Sequence, residues 1–259
     1  INEYYNGKSI HTLAKQYNVS RSVITDRLNS NNITQYDHGY FLRKHKINET
    51  YFNVIDCERK AYFLGLLYAD GCNHRKNKIK VDIALQEEDR AILEELSKDI
   101  FGTKDGIKFR KSRNNNKNQY IVTIHNKKIS DRLLELGCIE RKSLKLEFPI
   151  WLTNCQLQRH FIRGYFDGDG SIYYYNRNNK PQYTVSIIST KSFCDAITKI
   201  INKLDINVLS NISANNITTT IYVRGNLQII KLMDWLYHES TIFMERKYGK
   251  YLNLKNQYR

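Results

Sequence analysis

The sequence predicts an α+β protein in which one αββαββα unit occurs twice, behind a small all-α module at the front of the chain. Three observations predict it. Residues 61–71, A-Y-F-L-G-L-L-Y-A-D-G, and residues 160–170, H-F-I-R-G-Y-F-D-G-D-G, are both apolar helical runs with a central glycine and an acid-glycine end. Behind each run the same order of alternating and helical patterns follows, and each copy closes on Glu-Arg-Lys, at 140–142 and at 245–247. Residues 9–28 carry a separate pair of short helical patterns with a tight break between them.

In that front module Ile10, Leu13, Ala14 and Tyr17 follow helical spacing, Asn18-Val19-Ser20 interrupts it, and Val23, Ile24 and Leu28 resume it. Asparagine tolerates the left-handed conformation that a tight interhelical turn needs. Ser20 is a good N-cap, and Ala14 is small where two helices must cross closely. The pattern, over residues 1–34, resembles the homeodomain-like helix-turn-helix family. That resemblance implies that Arg21, Ser22, Thr25 and Asn29 face a DNA major groove. The residues taken alone also fit a helical hairpin with a solvated polar face. Residues 35–50 lose the pattern and read as a basic linker, with Arg43 and Lys44 suited to lying along a phosphate backbone.

The 259 residues include 41 Lys and Arg against 26 Asp and Glu, a formal charge of +15. The length suffices for one large or two medium domains, and the charge makes a polyanion the first partner to consider. No run of about 18 apolar residues suggests a membrane span. The polar opening I-N-E-Y-Y-N-G-K carries no signal peptide, so an intracellular setting is expected, cytoplasmic in a bacterial or phage host or organellar. Five irregularly spaced cysteines, without a C-x-x-C, argue against zinc and fit a reducing compartment. A calcium loop starting at Asp167 fails on spacing: Ile172 stands where glycine is required and Asn178 where glutamate is.

The first copy is assigned residues 51–150 and the second residues 151–259. Strand parity separates two faces. Lys78 and Lys80 oppose Ile79, Val81, Ile83 and Leu85, and Lys108 and Arg110 alternate against Ile107 and Phe109. Tyr173, Tyr175 and Arg177 share one parity, while Thr218, Thr220, Tyr222 and Arg224 oppose Ile221 and Val223. Each sheet is thus expected to turn an apolar face to helices and a polar, basic face away from them.

Aligned on the terminal Asp-Gly, the two runs resemble the paired motifs of the LAGLIDADG homing endonucleases of the single-chain type, over roughly residues 50–259. Gly65 and Gly164, the small residues Ala69 and Gly168, and the acids Asp70 and Asp169 all match. The earlier acid is Tyr68 in the first copy and Asp167 in the second, so Asp167 is expected to be local scaffolding. Small residues four apart share a helix face and allow two helices to pack backbone to backbone, bringing Asp70 beside Asp169. The resemblance implies a saddle of antiparallel sheets on a long double-stranded DNA site, pseudo-palindromic or asymmetric. A monomer would hydrolyse both strands there, leaving short 3′ overhangs, in the service of intron or intein mobility. It also implies Mg²⁺, with Mn²⁺ substituting and Ca²⁺ supporting binding without cutting. Asp70 and Asp169, with Ala69 and Gly168, would hold the metal, since hard oxygen donors suit such ions. Two carboxylates so close would raise each other's pKa unless a cation lay between them. Lys142 and Lys247 are the expected catalytic lysines, beside the scissile phosphates, with Lys145 and Lys250 next in line. Lys78, Lys80, Lys108, Arg110, Tyr173, Tyr175, Arg177 and Arg224 are the expected DNA contacts of the sheets. A catalytically silent DNA-binding regulator or an intron RNA maturase is the alternative on the same fold. The presence of both terminal acids favours the nuclease.

Overall fold

The computed structural model describes all residues except 34, 36–45, 77, 113–116, 178–179, 214–216 and 259, and the side chains of 177 and 180. The chain divides into two compact units, Ile1–Lys46 and Ile47–Arg259. The expected linker thus ends earlier than residue 50: the main-chain N–H of Asn48 already donates to Ile100 O at 2.7 Å in the second unit. Arg43 and Lys44 lie outside the described residues.

The first unit contains helices α1 (Asn2–Tyr5), α2 (Ile10–Gln16) and α3 (Arg21–Asn29). Ser9 and Ser20 cap α2 and α3, accepting from the main-chain N–H of Thr12 and Val23. Asn18 takes φ 51, the left-handed turn expected of it. Tyr4, Leu13, Leu28 and Ile33 form a small core, with Ile10 and Ile24 packed against it. Helix α1, absent from the sequence expectation, contributes the wholly buried Tyr4. Two residues leave the expected apolar stripe. Tyr17, at the end of α2, is exposed and donates its hydroxyl to Glu3, and Val23 is exposed on α3.

The second unit runs α4 (Glu58–Asp70), β1 (Gly71–His74), β2 (Lys80–Gln86), α5 (Arg90–Phe101), β3 (Ile107–Arg110), β4 (Gln119–Ile124) and α6 (Lys127–Glu135). The order then repeats as α7 (Cys155–Asp169), β5 (Ser171–Arg177), β6 (Lys180–Ser189), α8 (Lys191–Asn202), β7 (Leu209–Ile212), β8 (Thr219–Arg224) and α9 (Asn226–Tyr237). A further helix, α10 (Glu245–Gln257), closes the second copy, where the first has a single 3₁₀ turn at Lys142–Leu144. Each copy folds one four-stranded antiparallel sheet, ordered β1-β2-β4-β3 and β5-β6-β8-β7.

One apolar core runs through both copies, with α4 and α7 at its centre. Val81, Ile83 and Leu85 of β2 and Thr219, Ile221 and Val223 of β8 turn inward in strict alternation. Ile79 precedes β2 and is half-exposed, so its place in the apolar set is lost. Phe109 keeps the inward parity but sits on the edge strand β3, where it is exposed and packs edge-on against Tyr120.

Candidate active site

Helices α4 and α7 meet where their glycines remove the side chains. A Cβ on Gly65 would collide with the carbonyl oxygen of Phe161 and lie 2.9 Å from Phe161 C and Tyr165 N. A Cβ on Gly164 would collide with the carbonyl oxygen of Tyr62 and lie 2.8 Å from Tyr62 C. The two contacts are the same contact seen from each copy, so the seam is pseudo-twofold at backbone level. At its end a Cβ on Gly168 would fall on the Cβ of Ala69 and 2.9 Å from Asp70 Oδ2. Only glycine opposite alanine lets the helix ends come this close. Gly71 and Gly170 then leave the helices in extended conformation, φ −74 and −76, straight into β1 and β5.

This packing brings the two acids together at the C-terminal ends of the helices. Asp70 is raised to about 6, first by burial of the carboxyl and then by the charge of Asp169, against opposing pulls from Lys247, Lys142 and Arg246. Asp169 is raised by burial, opposed by Lys142, a hydrogen bond from Tyr165 and Lys247. Both residues remain open to solvent on one side while protein crowds the rest of the carboxyl. A helix C-terminus carries partial negative charge, so the site as built is short of positive charge.

The two expected lysines hold equivalent places. Lys142 donates to Gly71 O and Lys247 to Gly170 O at 2.6 Å, the carbonyl just past each acid. They differ in depth. Lys142 is half-exposed and lines a cleft with Asp169, Tyr165, Ile188 and Thr218. Lys247 is buried and also donates to Phe166 O and Asp167 O at 2.6 Å and to Gly168 O at 3.2 Å. It therefore caps the end of α7, and burial pushes its ammonium down to about 8. Lys250 donates to Ile172 O at 3.3 Å, farther along β5, and Lys145 is exposed beyond the 3₁₀ turn.

Asp167 is fully buried and accepts from Tyr62 Oη at 2.8 Å, Tyr237 Oη at 2.9 Å and the main-chain N–H of Met244 at 2.8 Å. It ties α4, α9 and the approach to α10 to the underside of the site. Its counterpart Tyr68 instead donates to Leu136 O. The scaffolding expectation for Asp167 therefore matches its surroundings, since no face of it is open.

A family model described as a LAGLIDADG-like domain matches residues 58–136 and again 156–236, together more than half of the chain. The chain belongs to the LAGLIDADG family. Solved structures share the LAGLIDADG fold at low identity. The meganuclease I-SmaMI bound to uncleavable DNA aligns at TM-score 0.54 and 14% identity, over 76% of this chain and 87% of that one. The LAGLIDADG homing endonuclease I-LtrWI bound to target DNA aligns at TM-score 0.53 and 16% identity, over 82% and 90%. I-GzeII in complex with its DNA target aligns at TM-score 0.53 and 14% identity, over 76% and 88%.

Within this LAGLIDADG chain the expected contacts that stand in strands, and whose side chains are described, lie on the faces away from the helices, while Lys78 precedes β2. Lys78, Lys108, Arg110, Tyr173, Tyr175 and Arg224 are exposed. Lys80 is half-buried and ion-paired with Asp82, and Arg110 donates to Gln119 on the neighbouring strand. Arg177 ends β5, and its side chain lies outside the described set. In the first unit Arg21, Ser22 and Asn29 are exposed, but Thr25 is half-buried and does not face freely outward. Sequence reasoning missed Arg246, which holds the buried Asp89 of the other copy at 2.8 Å while its charge acts on Asp70. It sits inside the repeated Glu-Arg-Lys, so the signal was present. It also missed the fully buried Arg163, which donates to Glu58 Oε1 at 2.6 Å, His160 Nδ1 at 2.7 Å and two carbonyls. No one-dimensional pattern marks that arginine.

Proposed function

We propose that this chain is a monomeric, site-specific DNA endonuclease that hydrolyses both strands of a long duplex target with a divalent metal, leaving short 3′ overhangs. The observation that carries this reading is the acid pair, one carboxyl from each copy, crowded at the end of a backbone-tight seam. The donor set fits a hard divalent cation. Two carboxyls with raised pKa values await positive charge, and the main-chain oxygens of Ala69 and Gly168 stand at the same helix ends. Among the described residues no cluster of three or more His, Cys, Asp or Glu offers a competing metal site. Mg²⁺ held by Asp70 and Asp169 would supply Lewis-acid polarisation of the scissile phosphate, with Mn²⁺ substituting and Ca²⁺ supporting binding alone.

The chain's own residues do the rest. Lys142 places a solvent-accessible ammonium in the cleft beside Asp169, where it stabilises charge building on a phosphate. Lys247 supplies the corresponding charge beside Asp70 from below, while fixing the end of α7. The outward faces of the sheets, with Lys108, Arg110 and Arg224, and Lys78 just ahead of β2, hold the duplex across the seam, and the excess charge draws it in. The helix-turn-helix unit adds flanking contacts through Arg21, Ser22 and Asn29. No described helix is long and apolar enough to cross a membrane.

The test is a duplex selected from a randomised pool in Ca²⁺, then incubated with Mg²⁺, Ca²⁺ or chelator. Double-strand cleavage with Mg²⁺ alone is expected. Tight binding without a cut in Mg²⁺ or Mn²⁺ would leave the silent regulator as the better reading.

A further inference from the structure

The inference concerns what the proposed nuclease reads, and it rests on that reading. Strand register makes the two sheets comparable position by position. Cys72 opposite Asp82, and Asp82 opposite Thr123, correspond to Ser171 opposite Ser186, and Ser186 opposite Tyr222. Lys108 opposite Ile121 corresponds to Asn211 opposite Thr220. On this register the places of Lys80, Asp82 and Lys108 are taken in the second sheet by Thr184, Ser186 and Asn211. That of Ala84 is taken by Ile188.

The faces turned away from the helices therefore differ at these matched positions. The first presents exposed Lys108 and Arg110. The second, beside exposed Arg224, Tyr173 and Tyr175, presents Ile188, 48% exposed, where the first has Ala84, and Leu209, 43% exposed and directly opposite Tyr222. Ile188 lies on the inner strand β6 and faces away from the core. It also lines the cleft that contains Asp169 and Lys142, so a duplex engaged at the acids lies against it.

We propose that the target is chemically asymmetric across its centre. Under the first sheet, Lys108 and Arg110 donate to the N7 and O6 acceptors of guanine. Under the second, Ile188, supported by Tyr222 and Leu209, packs on thymine 5-methyl groups. The 5-methyl of thymine is the apolar group that base pairs present in the major groove. An isoleucine set against guanine acceptors would leave them without donors, which disfavours that base there.

The test uses the full chain and a duplex selected from a randomised pool in Ca²⁺. That duplex is remade with deoxyuridine for thymidine, or 7-deazaguanine for guanine, one half at a time. Uracil in one half should weaken binding about fourfold per contacted methyl. In the opposite half 7-deazaguanine should weaken it about tenfold per contact. Ile188→Ala should lose affinity for the thymine duplex and bind the uracil duplex as the wild type does, which also reports a folded variant. Lys108→Ala should behave likewise toward 7-deazaguanine in the other half. Uracil tolerated in both halves, or Ile188→Ala weakened equally on thymine and uracil, overturns the proposal. If no duplex is enriched at all, the endonuclease reading fails first; enrichment without methyl dependence confined to one half sinks only this inference.

Discussion

Replacing Gly65 by alanine puts one methyl into a seam that has no room for it. The new carbon would sit inside the contact distance of Phe161 O and 2.9 Å from both Phe161 C and Tyr165 N, all backbone atoms that cannot rotate aside. Helices α4 and α7 must then separate by roughly 1 Å, loosening close contacts along the seam, each a small dispersion term. Overpacking of this kind costs about 1–3 kcal/mol and more where backbone must move. A loss of about 3 kcal/mol lowers Tm by about 6–12 °C for a domain of this size. Gly164→Ala meets Tyr62 O in the same way and should cost about as much. Because either methyl opens the same seam, the double variant should lose clearly less than the two single losses together. Gly249→Ala, on α10 with nothing near its Cβ position, is the control and should be neutral or stabilising by up to about 1 kcal/mol. Calorimetry of the four proteins decides it. A Gly65→Ala protein within 1–2 °C (roughly) of wild type, or fully additive losses, would refute the backbone-level seam.

Other outcomes follow from the same geometry. Lys247→Met removes the donor shared by the carbonyls at the end of α7 and should destabilise by about 2–4 kcal/mol, whereas half-exposed Lys142→Met should leave Tm nearly unchanged. Thermal melts separate the two, and both variants should lose cleavage. His160 is pushed down to about 4 by burial and then by Arg163, so the folded protein refuses a proton that the unfolded chain accepts near its ordinary pKa of about 6.5. The stability this contributes is present above that value and is lost as pH falls through the folded one. His160→Gln should flatten the Tm-against-pH profile in that window, and an unaltered slope would contradict the assignment. Tyr237→Phe takes one of three donors from buried Asp167 and should cost about 1–3 kcal/mol in denaturant titrations, with DNA binding retained.

What was legible in the sequence is what is local. The helix-to-strand motif, its glycines and its terminal acids are set by spacing along one helix, and the repeat doubled each signal. The glycines announced a close approach, and the Cβ collisions at Gly65 and Gly164 are that approach. The inward parity of β2 and β8 could likewise be read from alternation. Depth could not be read. Lys142 and Lys247 both follow Glu-Arg in sequence, yet Lys247 is buried against the end of α7 because it lies within α10, whereas Lys142 stands in a short 3₁₀ turn. Nor could the partners of Asp167 and Arg163 be read, since Tyr62, Glu58 and Tyr237 come from elements far apart in the chain. The expected outward Thr25 and the expected inward Ile79 and Val23 failed at element ends and in a small module, where few neighbours enforce a pattern.

The central claim is that Asp70 and Asp169 together hold the metal that cuts both strands. Asp169→Asn removes one carboxylate while keeping the side chain's shape, so the seam stays closed and the outward sheet faces are untouched. Incubated with a supercoiled plasmid carrying the selected site, wild type in Mg²⁺ should give linear product. Asp169→Asn should give none, while binding the same site in Ca²⁺ with wild-type affinity. Linear product from Asp169→Asn at the wild-type rate would contradict the account.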